Sequence, residues 1–278
     1  MALNNNCLSL GCMNIYKIRK NIKFNQSVNN FSQFNEDLYL AKIFEGSASG
    51  VCVDVGANDG VYGSNSALLE QLGWSCILVE PNISLYESIL KNRRPYKLFQ
   101  CVASDVEGEA NLYVVSGGEL AHGLSTMVPS LENIERIKDN NFEYKEILVN
   151  SRTLDSMLFE SGVSKVDVLS IDVEGHELAV IRGFTIDKWH PRIFIIEDNS
   201  NYQSNDIAIY LRCEGYLPFF RTGVNDWYAK RSDMELINFS NVMNYQFEKV
   251  IFLTKKLHLI LFFRKIFLKL RIIFKRIS

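Results

Sequence analysis

The chain has 278 residues, 47% hydrophobic and 22% charged with five prolines, which allows one large core plus appendages and excludes wholesale disorder. Its net charge of −2 hides an asymmetry, because residues 1–35 (Lys17, Arg19, Lys20, Lys23) and residues 249–278 (nine Lys/Arg) contain no acid. The remaining seventeen basic residues and all 32 acids lie between, a net of −15 that has the wrong sign for neutralising phosphates, so no nucleic-acid partner is expected.

The cysteines Cys7, Cys12, Cys52, Cys76, Cys101 and Cys213 show no CxxC spacing, and three of them sit in apolar runs where a thiol behaves as a small hydrophobe. That pattern fits a reducing compartment. No charged segment followed by an apolar stretch marks a secretory signal, and no run reaches the roughly 18 apolar residues of a membrane span. The expectation is a cytoplasmic protein.

In chain order, residues 1–31 are Asn-rich and weakly patterned, and are expected to form a mobile arm. Ser32 is placed to cap a helix over Gln33–Phe44. Val51–Val55 reads as a buried strand, followed by a Gly-rich turn and a helix over Asn65–Leu72. Cys76–Glu80 is a second strand with a helix over Ser84–Asn92, and Leu98–Val102 a third. Residues from Gly108 to Asn150 break the rhythm and are expected as an insertion over the sheet's carboxyl edge. Val166–Ile171 and Ile193–Ile196 are a fourth and fifth strand, separated by a helix over His176–Gly183. A helix over Asp206–Cys213 then precedes a hairpin of Tyr216–Arg221 and Trp227–Lys230, with its turn over Thr222–Asp226. Near-continuous apolar strands alternating with helices indicate a doubly wound parallel sheet covered on both faces.

The chemistry is expected where strands end. Val53-Asp-Val-Gly-Ala-Asn-Asp-Gly60 takes a buried strand into a glycine turn, and such glycines let backbone approach a ligand closely. Asn58 replaces the second glycine of the GxGxxG pattern, which weakens a pyrophosphate reading. Glu80 ends the next strand, 24 residues beyond Gly56, where a carboxylate accepts hydrogen bonds from a ribose diol. The glycines alone are equally an ordinary turn; together with Glu80 they favour a nucleoside cofactor without phosphates, of which S-adenosylmethionine is the common one. A second cluster, Asp172-Val-Glu174-Gly175-His176-Glu177, bunches acids at the fourth strand's end, able to deprotonate an acceptor hydroxyl or hold a cation. The alternative is that Glu177, and with it Glu174, merely charges the next helix's N-terminus. His176 has no partner spacing that would support zinc. Neither a GxSxG motif nor a cysteine in a nucleophile's setting is present.

These pieces carry a family resemblance. Ser32-Gln33 with Glu36-Asp37, Asp54-Val-Gly-Ala-Asn-Asp-Gly60, Ser64-Asn65, Leu69-Glu70 through Gly73-Trp74, Val79-Glu80-Pro81, Asn92-Arg93, Ala103-Ser104 and Asp172-Val-Glu-Gly175 with Glu177 stand in order. Over roughly Ser32 to Lys230 the chain resembles FkbM-type S-adenosylmethionine-dependent methyltransferases, with Asn35 where the family usually has glycine. The resemblance implies an α/β fold, a Rossmann-like class I methyltransferase sheet of seven strands with a reversed final hairpin. It also implies O-methylation, often of sugar hydroxyls in polysaccharides, glycolipids or secondary metabolites. Carried over, Asp54, Gly56, Asn58 and Gly60 would line the methionine and ribose, Glu80 the ribose hydroxyls, and Ala103 and Ser104 the adenine. Asp172 is expected as base or base-orienter with Glu174 second, both facing the methyl. A divalent cation on Asp172 and Glu197 is the alternative role, and His122, Arg152 and Tyr202 are expected around the acceptor. Two rivals stay open: a nicotinamide-dependent oxidoreductase of nucleotide sugars, and a non-catalytic, cofactor-binding membrane adaptor.

The organisation expected is therefore an arm (1–31), a methyltransferase-like domain (32–231), a connecting segment (232–256) and a tail (257–278). Wound as a helix, the tail gathers Leu259, Phe263, Ile266, Phe267, Leu270 and Phe274 on one arc and Arg264, Lys265, Lys269, Arg271, Lys275 and Arg276 on the other. A basic amphipathic helix of this kind suits an anionic membrane face, peripheral to the cytoplasm, with a glycolipid or other sugar acceptor. Docking on the protein's own core or on a second copy is the alternative.

Overall fold

The computed structural model describes residues 30–47, 49–118, 121–127, 129, 131–200, 202, 204–233 and 242–254, with only the backbone of 122, 131–133 and 136. In chain order the elements are α1 (Glu36–Ile43), β1 (Val51–Val55), α2 (Ala67–Gln71), β2 (Ser75–Val79), α3 (Ile83–Asn92), β3 (Lys97–Phe99) and β4 (Val102–Ala103). They continue with β5 (Gly108–Ser116), a single 3₁₀ turn (Ala121–Leu124), α4 (Leu131–Asp139), β6 (Glu143–Arg152), α5 (Leu154–Ser161), β7 (Val168–Ile171) and α6 (Glu177–Arg182). Last come α7 (Ile186–Trp189), β8 (Ile193–Glu197), α8 (Asp206–Cys213), β9 (Tyr216–Thr222), β10 (Asn225–Lys230) and a helix over residues 242–254.

Seven strands form one sheet in the order β3-β2-β1-β7-β8-β10-β9, with β10 antiparallel to both neighbours and the other pairings parallel. The central strands β1, β2, β7 and β8 are buried on both faces because each face has its own core. Val53, Val55, Ile77 and Val79 pack with Leu154, Met157, Leu158, Val180 and Ile181 of α5 and α6. Cys52, Cys76, Leu78 and Ile195 point the other way, onto Tyr39, Leu40, Leu69 and Ile89 of α1 to α3. This is the side-chain alternation of a strand buried on both faces.

Three expectations need correction. The single third strand over Leu98–Val102 is two strands. β3 pairs with β2, whereas Val102 and Ala103 leave that sheet and pair with Ser151 and Arg152 of β6. The first helix begins at Glu36 rather than Gln33, so Ser32 is not at its N-cap position. The Ser32 hydroxyl still serves the first turn, accepting from the Asp37 amide at 3.2 Å and donating to Asp37 Oδ1 at 2.6 Å. Asn35 takes the N-cap position with φ 68°, a left-handed conformation that asparagine tolerates better than most residues, which is why it can stand where a glycine is usual. The hairpin turn also narrows, to Gly223 and Val224.

The insertion is a long antiparallel pair, β5 with β6, running from Gly108↔Ser151 to Ser116↔Glu143. Between these strands, Thr126 pairs back onto β5, where it and Tyr113 exchange backbone hydrogen bonds at 2.9 and 3.1 Å. Residues 242–254, assigned from sequence to a connecting segment, form a helix anchored by the Tyr245 hydroxyl, which donates to Asp226 Oδ2 at 2.7 Å. The arm through residue 29 and the tail over 257–278 lie outside the described residues.

Candidate active site

The turn after β1 is built by close packing of three strand ends. The Gly56 and Ala57 amides donate to the Val79 carbonyl of β2 at 3.0 and 3.1 Å. Gly56 has φ 83°, and a Cβ there would lie 1.8 Å from the Asp172 carbonyl oxygen at the end of β7. Only glycine lets β1 and β7 deliver their ends so near one another. Asn58 follows at φ 54°, and its amide donates to Glu80 Oε2 at 3.0 Å, while the Asn82 amide donates to Glu80 Oε1 at 2.8 Å.

Arg93 braces this turn from behind. Its buried guanidinium donates to the Gly60 carbonyl (3.2 Å), the Ser64 and Ser66 hydroxyls (3.1 and 2.9 Å) and Glu70 (3.0 Å). Ser66 in turn donates to Asp54 Oδ2 at 2.6 Å. Asp54 thus spends its carboxylate on the turn's own hydroxyls, and Gly60 is where α3 packs, since a Cβ there would meet Ile89 and Arg93 at 3.1 Å. Of the four turn residues expected around a cofactor, Gly56 and Asn58 line the cleft at the carboxyl end of β1 and β2; Asp54 lines the neighbouring cavity, and Gly60 neither.

The cleft is walled by Gly56, Asn58, Glu80, Pro81, Leu85, Cys101, Val102, Ala103, Asp172, Glu174 and His176, and roofed by Leu112, Gly123, Ser125, Thr126 and Met127 of the insertion. Burial pushes Glu80 up to about 7, against the two amide hydrogen bonds that hold it down. Each of its oxygens accepts one described bond and keeps a lone pair for another donor. The Asn58 side-chain oxygen is buried with no partner. A diol opposite Glu80 and an N–H or ammonium opposite Asn58 would satisfy both, so the cleft fits a nucleoside carrying an amino-acid end. Ala103 lines it; Ser104 sits one layer behind, its hydroxyl 3.0 Å from His176 Nε2 and 3.2 Å from Asp105 Oδ1.

A second cavity opens beside the first and shares Gly56, Asn58, Gly123, Asp172 and Glu174 with it. Its far wall brings Gln33, Phe34, Asn199, Val224 and Asn225 to Glu197, the last residue of β8. Asp172, Glu174 and Glu197 each present a carboxylate oxygen, all within 4.8 Å of one another. Burial raises Asp172 to about 6, helped by the charges of Asp54 and Glu36 and opposed by its hydrogen bond with Glu197. Burial also raises Glu197, with the charges of Asp172, Glu174 and Glu177 adding to it. Glu177 accepts from the Gly175 amide at 2.8 Å, the local role that the sequence left open for it.

Two of the three expected acceptor residues, Arg152 and Tyr202, fall elsewhere. Arg152 donates to Glu160 at 2.8 Å and lies over the Phe99 ring, outside both cavities. Tyr202 is buried beneath Arg221, 4.5 Å from its ring, with Tyr245 and Phe252 edge-on, so it anchors helix 242–254 to the body. The His122 side chain lies outside the described residues, although its neighbour Gly123 is in the wall. The insertion expected over the carboxyl edge supplies the roof; the residue in it that sequence reading did not single out is Thr126, whose hydroxyl donates to the Glu174 carbonyl at 2.7 Å. Nothing in its neighbourhood signals a site; its backbone bridge to Tyr113 of β5 brings it there.

The strand order and the paired cavities at the carboxyl edge of β1, β2 and β7 define a class I methyltransferase architecture. The family model for the methyltransferase FkbM domain matches residues 54–218, more than half of the chain, and the chain belongs to that family: it is an S-adenosylmethionine-dependent methyltransferase. Among solved structures it is similar to the C-terminal domain of precorrin-6Y C5,15-methyltransferase from Rhodobacter capsulatus, at 12% identity, covering 70% of this chain and 88% of that one with a TM-score of 0.34. It is also similar to a protein of Listeria monocytogenes described as a class I S-adenosylmethionine-dependent methyltransferase, at 11% identity, 84% and 72% coverage and a TM-score of 0.35. No match was found among the curated proteins.

Proposed function

We propose that this methyltransferase modifies a hydroxyl of a sugar, carried on a polysaccharide, a glycolipid or a related metabolite. The observation that carries the reading is the shared wall: Asp172 and Glu174 face the cofactor cleft and the second cavity at once. S-adenosylmethionine, when bound, supplies an electrophilic methyl on a sulfonium. Glu80 and Asn58 would hold it, and Gly56 would let it lie against the backbone. Asp172, raised to about 6 yet ionised at pH 7, accepts the acceptor's hydroxyl proton. The second cavity offers the matching recognition groups. Gln33, Asn65, Asn199 and Asn225 are neutral amides, the side chains that pair with sugar hydroxyls as both donors and acceptors.

The partner surface we infer is an anionic membrane, reached through residues 257–278. Helix 242–254 leads toward that segment and leaves Met243, Phe247 and Val250 exposed at i, i+4 and i+7, an apolar stripe that the basic tail would extend. No helix among the described residues is long and apolar enough to cross a membrane, so the contact proposed is peripheral.

The test is transfer of labelled methyl from S-adenosylmethionine to fractionated lipid-linked saccharides, free polysaccharide and small metabolites. Label on a sugar oxygen is expected, lost with Asp172→Asn. Label confined to a protein or to a nitrogen would overturn the substrate class, and no turnover with any fraction would favour an adaptor that binds cofactor without catalysis.

A further inference from the structure

We propose that Asp172, Glu174 and Glu197 form a binding site for a hard divalent cation, Mg²⁺, Mn²⁺ or Ca²⁺, at the junction of the two cavities. Their oxygens, all within 4.8 Å of one another, have the spread of ligands around one ion. Oxygen ligands sit at about 2.0–2.1 Å from Mg²⁺ and about 2.3–2.6 Å from Ca²⁺, so opposite ligands stand about 4–5 Å apart. An acidic cluster by itself proves little, but two further observations point to an ion. Glu197 is 8% exposed, and its Oε2 is sealed from water with no hydrogen-bond partner, a costly state for a carboxylate oxygen that a cation would relieve. Among the described residues lining the second cavity there is no Lys, Arg or His, and His176 lines only the cofactor cleft.

The donor set is all oxygen, which selects a hard cation over zinc or copper. Asp172 opens onto the cavity while Glu197 is buried, so the protein caps the ion on one side and leaves coordination positions facing the acceptor. There the ion would carry the acceptor's hydroxyl oxygen and lower its pKa, with the proton passing to the second oxygen of Asp172. This catalytic role rests on the methyl-transfer reading above; the binding of the ion does not.

The experiment is electron paramagnetic resonance of Mn²⁺ titrated with the full-length protein, reading loss of the free-ion signal, with excess Mg²⁺ as competitor. About one Mn²⁺ bound per chain and displaced by Mg²⁺ is expected, with Glu197→Gln weakening binding by about 10-fold or more. Glu174→Gln, at a half-buried position, is the second variant should Glu197→Gln fail to fold. No binding at millimolar Mn²⁺, or binding that neither substitution changes, would overturn the proposal. A parallel titration with S-adenosylhomocysteine keeps the two ideas apart: its failure would strike the methyltransferase reading while the Mn²⁺ result still decides the ion.

Discussion

Glu80 and Asp172 are both carboxylates at strand ends raised by burial, yet they are set for different tasks. Glu80 accepts two backbone amides and faces the side of the cleft where a ribose would lie. A diol donates to the ionised form, so S-adenosylhomocysteine should bind more tightly as pH rises through about 7 and level off above it. Without ligand the sign reverses: between its ordinary 4.5 and about 7 the fold favours the protonated acid, so ionising Glu80 over that window costs stability. Calorimetry from pH 5.5 to 8.5 checks this, and Glu80→Gln should flatten the profile. Asp172 has the proton-accepting role. Asp172→Asn keeps its shape and removes its basicity, so turnover should fall by roughly 100-fold with little change in cofactor affinity. In the wild type kcat should fall as pH drops through about 6. Unchanged turnover in the variant would reassign Asp172 to structure.

Between elements, the sites are held by buried polar contacts that sequence patterns only hint at. Glu36, at the start of α1, accepts from Thr222 Oγ1 (2.6 Å) and Asn225 Nδ2 (3.0 Å), and Thr222 accepts from the Trp227 indole (2.9 Å). This ties the first helix to the final hairpin beside the second cavity. Glu36→Ala leaves two buried donors without their acceptor and should lower the free energy of unfolding in urea by about 2–4 kcal/mol; a loss below about 0.5 kcal/mol would contradict the network. Gly56→Ala forces a methyl onto the Asp172 carbonyl and should abolish S-adenosylhomocysteine binding even where the protein still folds. The parallel core was legible because two-sided burial makes β1, β2, β7 and β8 continuous apolar runs that announce themselves. Two things were hidden. The exit of Val102 and Ala103 to a second sheet depends on pairing with β6, some fifty residues away, and no local propensity records it. The place of Thr126 in the roof likewise comes from its backbone bridge to Tyr113 of β5, while Arg152 and Tyr202 had only their residue types to suggest a role.

At the scale of the whole molecule, charge is the organising feature: an acidic body with basic ends. Each Lys or Arg near an anionic surface adds about 1 kcal/mol at low salt, so full-length protein should sediment with anionic liposomes and release as salt rises. Removing residues 257–278 should leave a folded protein in the supernatant; a truncated body that unfolds would make the tail a docked structural element instead. All of this presupposes that the body is built around S-adenosylmethionine, and calorimetric titration with S-adenosylhomocysteine and with NAD tests that most directly. The wild type should bind S-adenosylhomocysteine and not NAD, and Glu80→Ala should weaken that binding by about 5- to 150-fold, the cost of about 1–3 kcal/mol for a lost diol contact. Binding of NAD without S-adenosylhomocysteine would contradict the account at its root.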